Sequence, residues 1–75
     1  MKTYRLQVCV AGIWLNIEAD DGTPLEFIFR SHAVFVARAL REVSYKHTDL
    51  QDQWRTVSSK GDYLPLLVNE PTPAR

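Results

Sequence analysis

The chain has one cysteine, Cys9, in 75 residues. That excludes an intrachain disulfide and any cysteine-based zinc site built from a single copy. Small secreted domains usually rely on such staples. Their absence, with no secretory leader pattern at the N-terminus, directs the expectation to the cytoplasm. Glycine is scarce as well. Of the three glycines, Gly12 and Gly22 fall in turns, which leaves nothing for a phosphate-cradling loop, a dinucleotide fingerprint or a nucleophile elbow. Neither sign of charge dominates: nine Lys and Arg balance nine Asp and Glu. A dedicated nucleic-acid binder usually carries a basic excess, so this balance counts against one without removing a local patch. No long apolar run occurs either. The N-terminal stretch is broken by Arg5, Gln7 and Asn16, and no membrane span is expected.

Apolar residues nonetheless make up 45% of the chain and are spread along it, which argues for a folded domain rather than wholesale disorder. A chain this short buries a small core, so good packing or self-association must stabilise it.

The first 45 residues carry the clearest pattern. Thr3 to Val10 alternates, with Tyr4, Leu6, Val8 and Val10 on one face and Thr3, Arg5, Gln7 and Cys9 on the other. Ile13 to Ala19 alternates too, with Ile13, Leu15 and Ile17 on one face. A two-residue Ala11-Gly12 loop places Val10 opposite Ile13, Val8 opposite Leu15 and Leu6 opposite Ile17, so every apolar side chain shares one face. The same register pairs Arg5 with Glu18, Gln7 with Asn16 and Cys9 with Trp14. Alanine is a poor first residue for such a turn, which requires a positive φ there. Pro24 to Arg30 reads as a third strand. A three-residue loop, Asp20-Asp21-Gly22, matches Ile17 to Leu25, Leu15 to Phe27 and Ile13 to Phe29, with Gly22 in the left-handed position of a bulged turn.

Ser31 then suits a helix N-cap. From His32 to about Tyr45 the apolar period lengthens to that of a helix. Ala33, Val36, Leu40 and Val43 are expected to face the sheet, with Ala37 and Ala39 at the margins and Phe35 on a flank. The expected outer face carries Val34, Arg38, Arg41 and Tyr45. Beyond it, Thr48-Asp49-Leu50-Gln51 has the form of a capping box for a short helical turn. Trp54 to Ser59 and Tyr63 to Val68 read as strands around a Lys60-Gly61 turn. Pro65 confines the last one to an edge. The expected fold is α+β: a three-stranded antiparallel meander, one helix on its apolar face, and a short β or extended C-terminal segment, in the order β-β-β-α-β-β. Residues 1–70 form a single domain and residues 71–75 a flexible tail.

Few groups suggest chemistry. His47, Asp49 and Asp52 lack the firm spacing of a zinc site and the oxygens and glycine of a calcium loop; they read as a polar loop and helix cap. His32 at a helix start has neither an orienting acid nor a nucleophile assigned to it. Glu18, Asp20, Asp21 and Glu26 gather near a hairpin tip, where turn chemistry is the simpler explanation. No catalytic residue, cofactor site or metal site is assigned.

Two surfaces remain. Cys9, Trp14 and Ile28 share the polar side of the meander, either as a small apolar contact surface or beneath a lid made by Trp54, Leu64, Leu66 and Leu67. Arg38, Arg41, Tyr45 and Lys46 stripe the outer helix face, either as a contact for an acidic partner or as an ordinary solvated face with Glu42 interleaved. Trp14, Ile28, Val34, Arg38, Arg41 and Tyr45 are thus the candidate partner-binding residues. The expected function is a small protein-interaction module, an inhibitor or adaptor that binds another protein, of the size class that phages and other mobile elements encode. A homodimer is an alternative use of the spare apolar surface. The second functional reading is nucleic-acid binding, since strands followed by a helix resemble in topology the small arm-binding domains of some integrases.

Overall fold

The computed structural model describes residues 2–66. Five strands form an antiparallel sheet: β1 (Tyr4–Val10), β2 (Ile13–Asn16), β3 (Glu26–Phe27), β4 (Trp54–Ser58) and β5 (Tyr63–Pro65). Helix α1 (Arg30–Val43) and a single-turn helix α2 (Leu50–Gln53) lie between β3 and β4. The fold is therefore α+β, with sheet order β2-β1-β4-β5 and β3 paired to β1.

The β1–β2 register follows from the alternation: Val10 opposes Ile13, Val8 opposes Leu15, Cys9 opposes Trp14 and Gln7 opposes Asn16. The two-residue loop holds Ala11 at φ 53 and Gly12 at φ 80. A left-handed alanine costs roughly 1–2 kcal/mol relative to its ordinary conformations. The next hairpin closes with the expected three-residue loop. Ala19 N–H donates to Thr23 O, Gly22 N–H to Ala19 O and Leu25 N–H to Ile17 O, with Gly22 at φ 87. The same device recurs between β4 and β5, where Ser58 N–H donates to Asp62 O, Gly61 N–H donates to Ser58 O and Gly61 has φ 93.

Past Leu25 the structure departs from the expected register. Phe27 and Glu26 pair with Tyr4 and Arg5 of β1, so the expected Leu15–Phe27 and Ile13–Phe29 pairs do not form. The reason lies in β1, whose N-terminal half would otherwise have one unpaired edge. Strands β2 and β3 follow one another along that edge, and β4 takes the other, opposing Tyr4 through Val8.

The core lies between one sheet face and the helices. It contains Leu6, Val8, Ile17, Ala33, Val34, Ala37, Leu50, Trp54 and Leu66. Trp54 and Leu66 are fully buried there, on the helix side; they are not a lid over Trp14. Leu64 is exposed, and Leu67 lies outside the described residues, as do Val68 and the expected tail.

Helix α1 starts two residues earlier than expected, at Arg30 rather than His32. Phe29 is the N-cap and makes no side-chain capping bond, so Ser31 sits within the first turn. Arg30 anchors this end instead. Its Nε donates to Thr56 Oγ1 at 3.1 Å and its Nη2 to Pro65 O at 2.7 Å. The anchor and α2 rotate the buried stripe toward Val34, which is 0% exposed and is not on the outer face. Val43, expected inside, is 76% exposed, because α1 crosses β1, β3 and β4 and leaves β2 uncovered. Tyr45 is also drawn inward: its ring meets Trp54 edge-on at 5.4 Å.

The cap of α2 is displaced by one residue from the expected box. Asp52 N–H donates to Asp49 Oδ1 and Asp49 N–H donates to Gln53 Oε1. This releases Thr48 for another task. Its buried hydroxyl donates to Tyr45 O at 2.6 Å and accepts the Trp54 indole N–H at 2.9 Å. The largest core side chain thereby has its one polar atom satisfied.

Two expectations follow. Replacing Ala11 with Asn, which tolerates the left-handed region and precedes a glycine, should stabilise the protein by about 1 kcal/mol, read as a higher urea midpoint with an unchanged slope. Thr48→Val strands the buried indole N–H and should cost about 1–3 kcal/mol in the same assay. A loss below about 0.5 kcal/mol would show that this hydrogen bond does not support the core.

Candidate partner-binding surface

The sheet face turned away from α1 is set by strand alternation. Trp54, Thr56 and Ser58 of β4 are buried on the helix side. Arg55 and Val57 therefore point the other way, beside Arg5, Gln7 and Cys9 of β1, Trp14 and Asn16 of β2, and Tyr63 and Pro65 of β5. The two tryptophans thus occupy opposite faces of one sheet.

Arg55 organises this open face. Its guanidinium lies 4.1 Å from the centroid of the Trp14 ring and 4.1 Å from that of Tyr63. Two aromatics from the two outer strands of the β2-β1-β4-β5 path are thus bridged over β1 and β4 by one planar cation. Its Nε also donates to Gln7 Oε1 at 2.7 Å, and Gln7 Nε2 donates to Asn16 Oδ1 at 3.0 Å. The chain of contacts fixes the rotamers of five side chains on four strands. Each ring–guanidinium contact contributes roughly 0.5–1 kcal/mol when solvated and more when desolvated, so covering this face strengthens the stack. A shallow cavity of about 310 Å³ lies beside it, lined by Trp14, Asp52, Trp54, Arg55, Tyr63 and Pro65.

The other end of the face is charged. Arg5 Nε lies 3.4 Å from Glu26 Oε2, with both side chains about half exposed. Such a pair adds little stability, but it neutralises one end of the surface. Glu18 bridges to Pro24 instead of Arg5. Asp21 is used within its turn. It accepts the hydroxyl of Thr23 at 2.7 Å and the Thr23 N–H at 3.0 Å. These bonds, the hydroxyl first, hold its carboxyl below the usual aspartate value.

The expected contact residues separate. Trp14 is half-buried on the open face and Cys9 is its cross-strand neighbour. Ile28 is exposed but follows β3, which pairs with the opposite end of β1 from Cys9, so it does not join Trp14. Val34 and Tyr45 belong to the core or its wall. Arg41 Nε donates to Thr48 O at 2.7 Å, tying the helix to the following loop. Arg38, Arg41, Glu42 and Lys46 line an open groove over Leu50, where the interleaved carboxylate dilutes the positive charge.

Arg55 and Tyr63 are the residues that sequence reasoning did not place in a site. The alternation of Trp54 to Ser58 already puts Arg55 opposite Trp54. Nothing local, however, tells that β4 lies beside β1, and only that pairing brings Arg55 to Trp14. Among the described residues no group of three His, Cys, Asp or Glu side chains converges to hold a metal, and no helix is long and apolar enough to cross a membrane. No family model, curated protein or solved structure matches the chain.

Proposed function

We propose that this chain is a small non-catalytic protein-interaction module, an inhibitor or adaptor, that binds another protein in the cytoplasm through the open face of its sheet. The observation that carries this reading is the Trp14–Arg55–Tyr63 stack. Trp, Tyr and Arg are the residue types that dominate interface energetics. Here they are fixed in advance on strands, which lowers the ordering cost of binding. A rim of Gln7, Asn16 and the Arg5–Glu26 pair supplies the polar border that such interfaces have. The single half-buried cysteine suits a reducing compartment.

One observation favours a second reading. Two aromatic side chains and an arginine on an open sheet face also suit stacking by unpaired bases. Against it stand the formal net charge of zero and the carboxylate that neutralises Arg5, so phosphate attraction is weak.

The test is a direct titration of a protein retained by the wild-type chain. Trp14→Ala should weaken binding by about 30-fold or more, equivalent to about 2 kcal/mol, with Arg55→Ala and Tyr63→Ala acting in the same direction. A partner bound equally well by all three variants would remove this surface from the reading. Tight binding of a single-stranded oligonucleotide that collapses with added salt would establish the second reading in its place.

A further inference from the structure

We infer that the outer edge of β2 pairs antiparallel with β2 of a second copy, joining two sheets into one across a two-fold axis. This rests on the backbone of β2 and stands independently of the partner reading above.

The direction of the backbone groups follows from the ladder. In a hairpin closed by two residues, the flanking pair Val10–Ile13 is hydrogen-bonded, and bonded pairs recur at every second residue. The Ile17 N–H donating to Leu6 O at 2.8 Å keeps that phase. Ile13 and Leu15 therefore spend their N–H and C=O on β1. Those of Trp14 and Asn16 point out of the sheet. Strand β2 ends the sheet order, and β3 follows it along β1 rather than flanking it.

Apart from its four-residue length, this edge has none of the usual protection. Monomeric proteins blunt edge strands with charge, proline, bulges or brevity. Ile13–Asn16 carries no charge and no proline. The opposite end of the sheet is protected: β5 has three residues and ends at Pro65. On the helix side of β2, Ile13 is 61% and Leu15 47% exposed, since α1 does not reach them.

A second β2 answers every requirement of this edge. Antiparallel pairing centred on Leu15 sets the outward groups of Trp14 against those of Asn16 from the other copy. It also sets Leu15 against its own counterpart, with both Ile13 side chains alongside. Like charges do not meet, because the strand is neutral and the formal net charge of the chain is zero. The buried area is modest. Four residues per copy fall short of the roughly 800 Å² per partner of stable complexes, so the dimer is reversible. Pairing also places two Trp14–Arg55–Tyr63 stacks on one continuous face.

Light scattering on a sizing column, combined with amide exchange, tests this. Between roughly 10 μM and 1 mM the wild-type mass should rise from 8.6 kDa toward twice that value, and the Trp14 and Asn16 amides should exchange more slowly as it rises. Leu15→Lys charges an exposed position, and Asn16→Pro removes an outward N–H while leaving the β1 ladder intact. Both should remain monomeric. A wild type that stays monomeric throughout overturns the inference. So does a dimer that both variants retain while those two amides exchange at an unchanging rate. If either variant loses its fold by circular dichroism, the wild-type exchange rates at Trp14 and Asn16 decide alone.

Discussion

Strand β1 is hydrogen-bonded along both edges, to β4 on one side and to β2 and then β3 on the other. Leu6 and Val8 on its inner face are fully buried and hold the centre of the core. Arg5, Gln7 and Cys9 on its outer face form the floor of the open surface. Both the packing and the candidate site are thus consequences of one alternating heptapeptide lying in the middle of the sheet. In a chain of 75 residues, the helices can cover only one side of that sheet. The other side is left to side chains that must hold one another in place.

Polar contacts compensate for the small core. Arg30 ties the start of α1 to β4 and β5, Arg41 ties the same helix to the loop before α2, and Thr48 satisfies the Trp54 indole. Among the described residues no buried side-chain nitrogen or oxygen lacks a partner. Three long or polar side chains thus position the elements that a larger protein would position by apolar packing alone. Arg55 acts similarly on the opposite face, where it couples Trp14 on β2 to Tyr63 on β5.

Local pattern made much of this legible. The β1–β2 register, the Asp20-Asp21-Gly22 loop and the existence of α1, β4 and β5 each follow from short-range alternation, turn chemistry or periodicity. What local pattern does not encode is which non-neighbouring strands meet. Pairing of β1 with β4 joins residues about fifty positions apart. It decides that Trp54 goes inside, that Arg55 reaches Trp14, and that β3 leaves β2 for the remaining edge of β1. The rotation of α1 has the same origin. Within the expected stripe, Ala33 is buried and Val36 and Leu40 pack against the core, whereas Val43 is exposed and Val34 and Ala37 join the buried face beside the Arg30 anchor and α2. Of the expected contact residues, Trp14 lies on the face that the structure leaves open, whereas Val34 is buried under the helix.

The central claim is that one sheet separates the two tryptophans, with Trp54 sealed under the helices and Trp14 facing outward. Proton exchange of the two indole N–H groups with water, followed by NMR, tests it most directly. Two separate behaviours are expected: a protected indole proton, assigned to Trp54 through its loss of protection in Thr48→Val, and a rapidly exchanging one on Trp14. Two equally protected indoles would contradict it, because the surface taken here as open would then be covered.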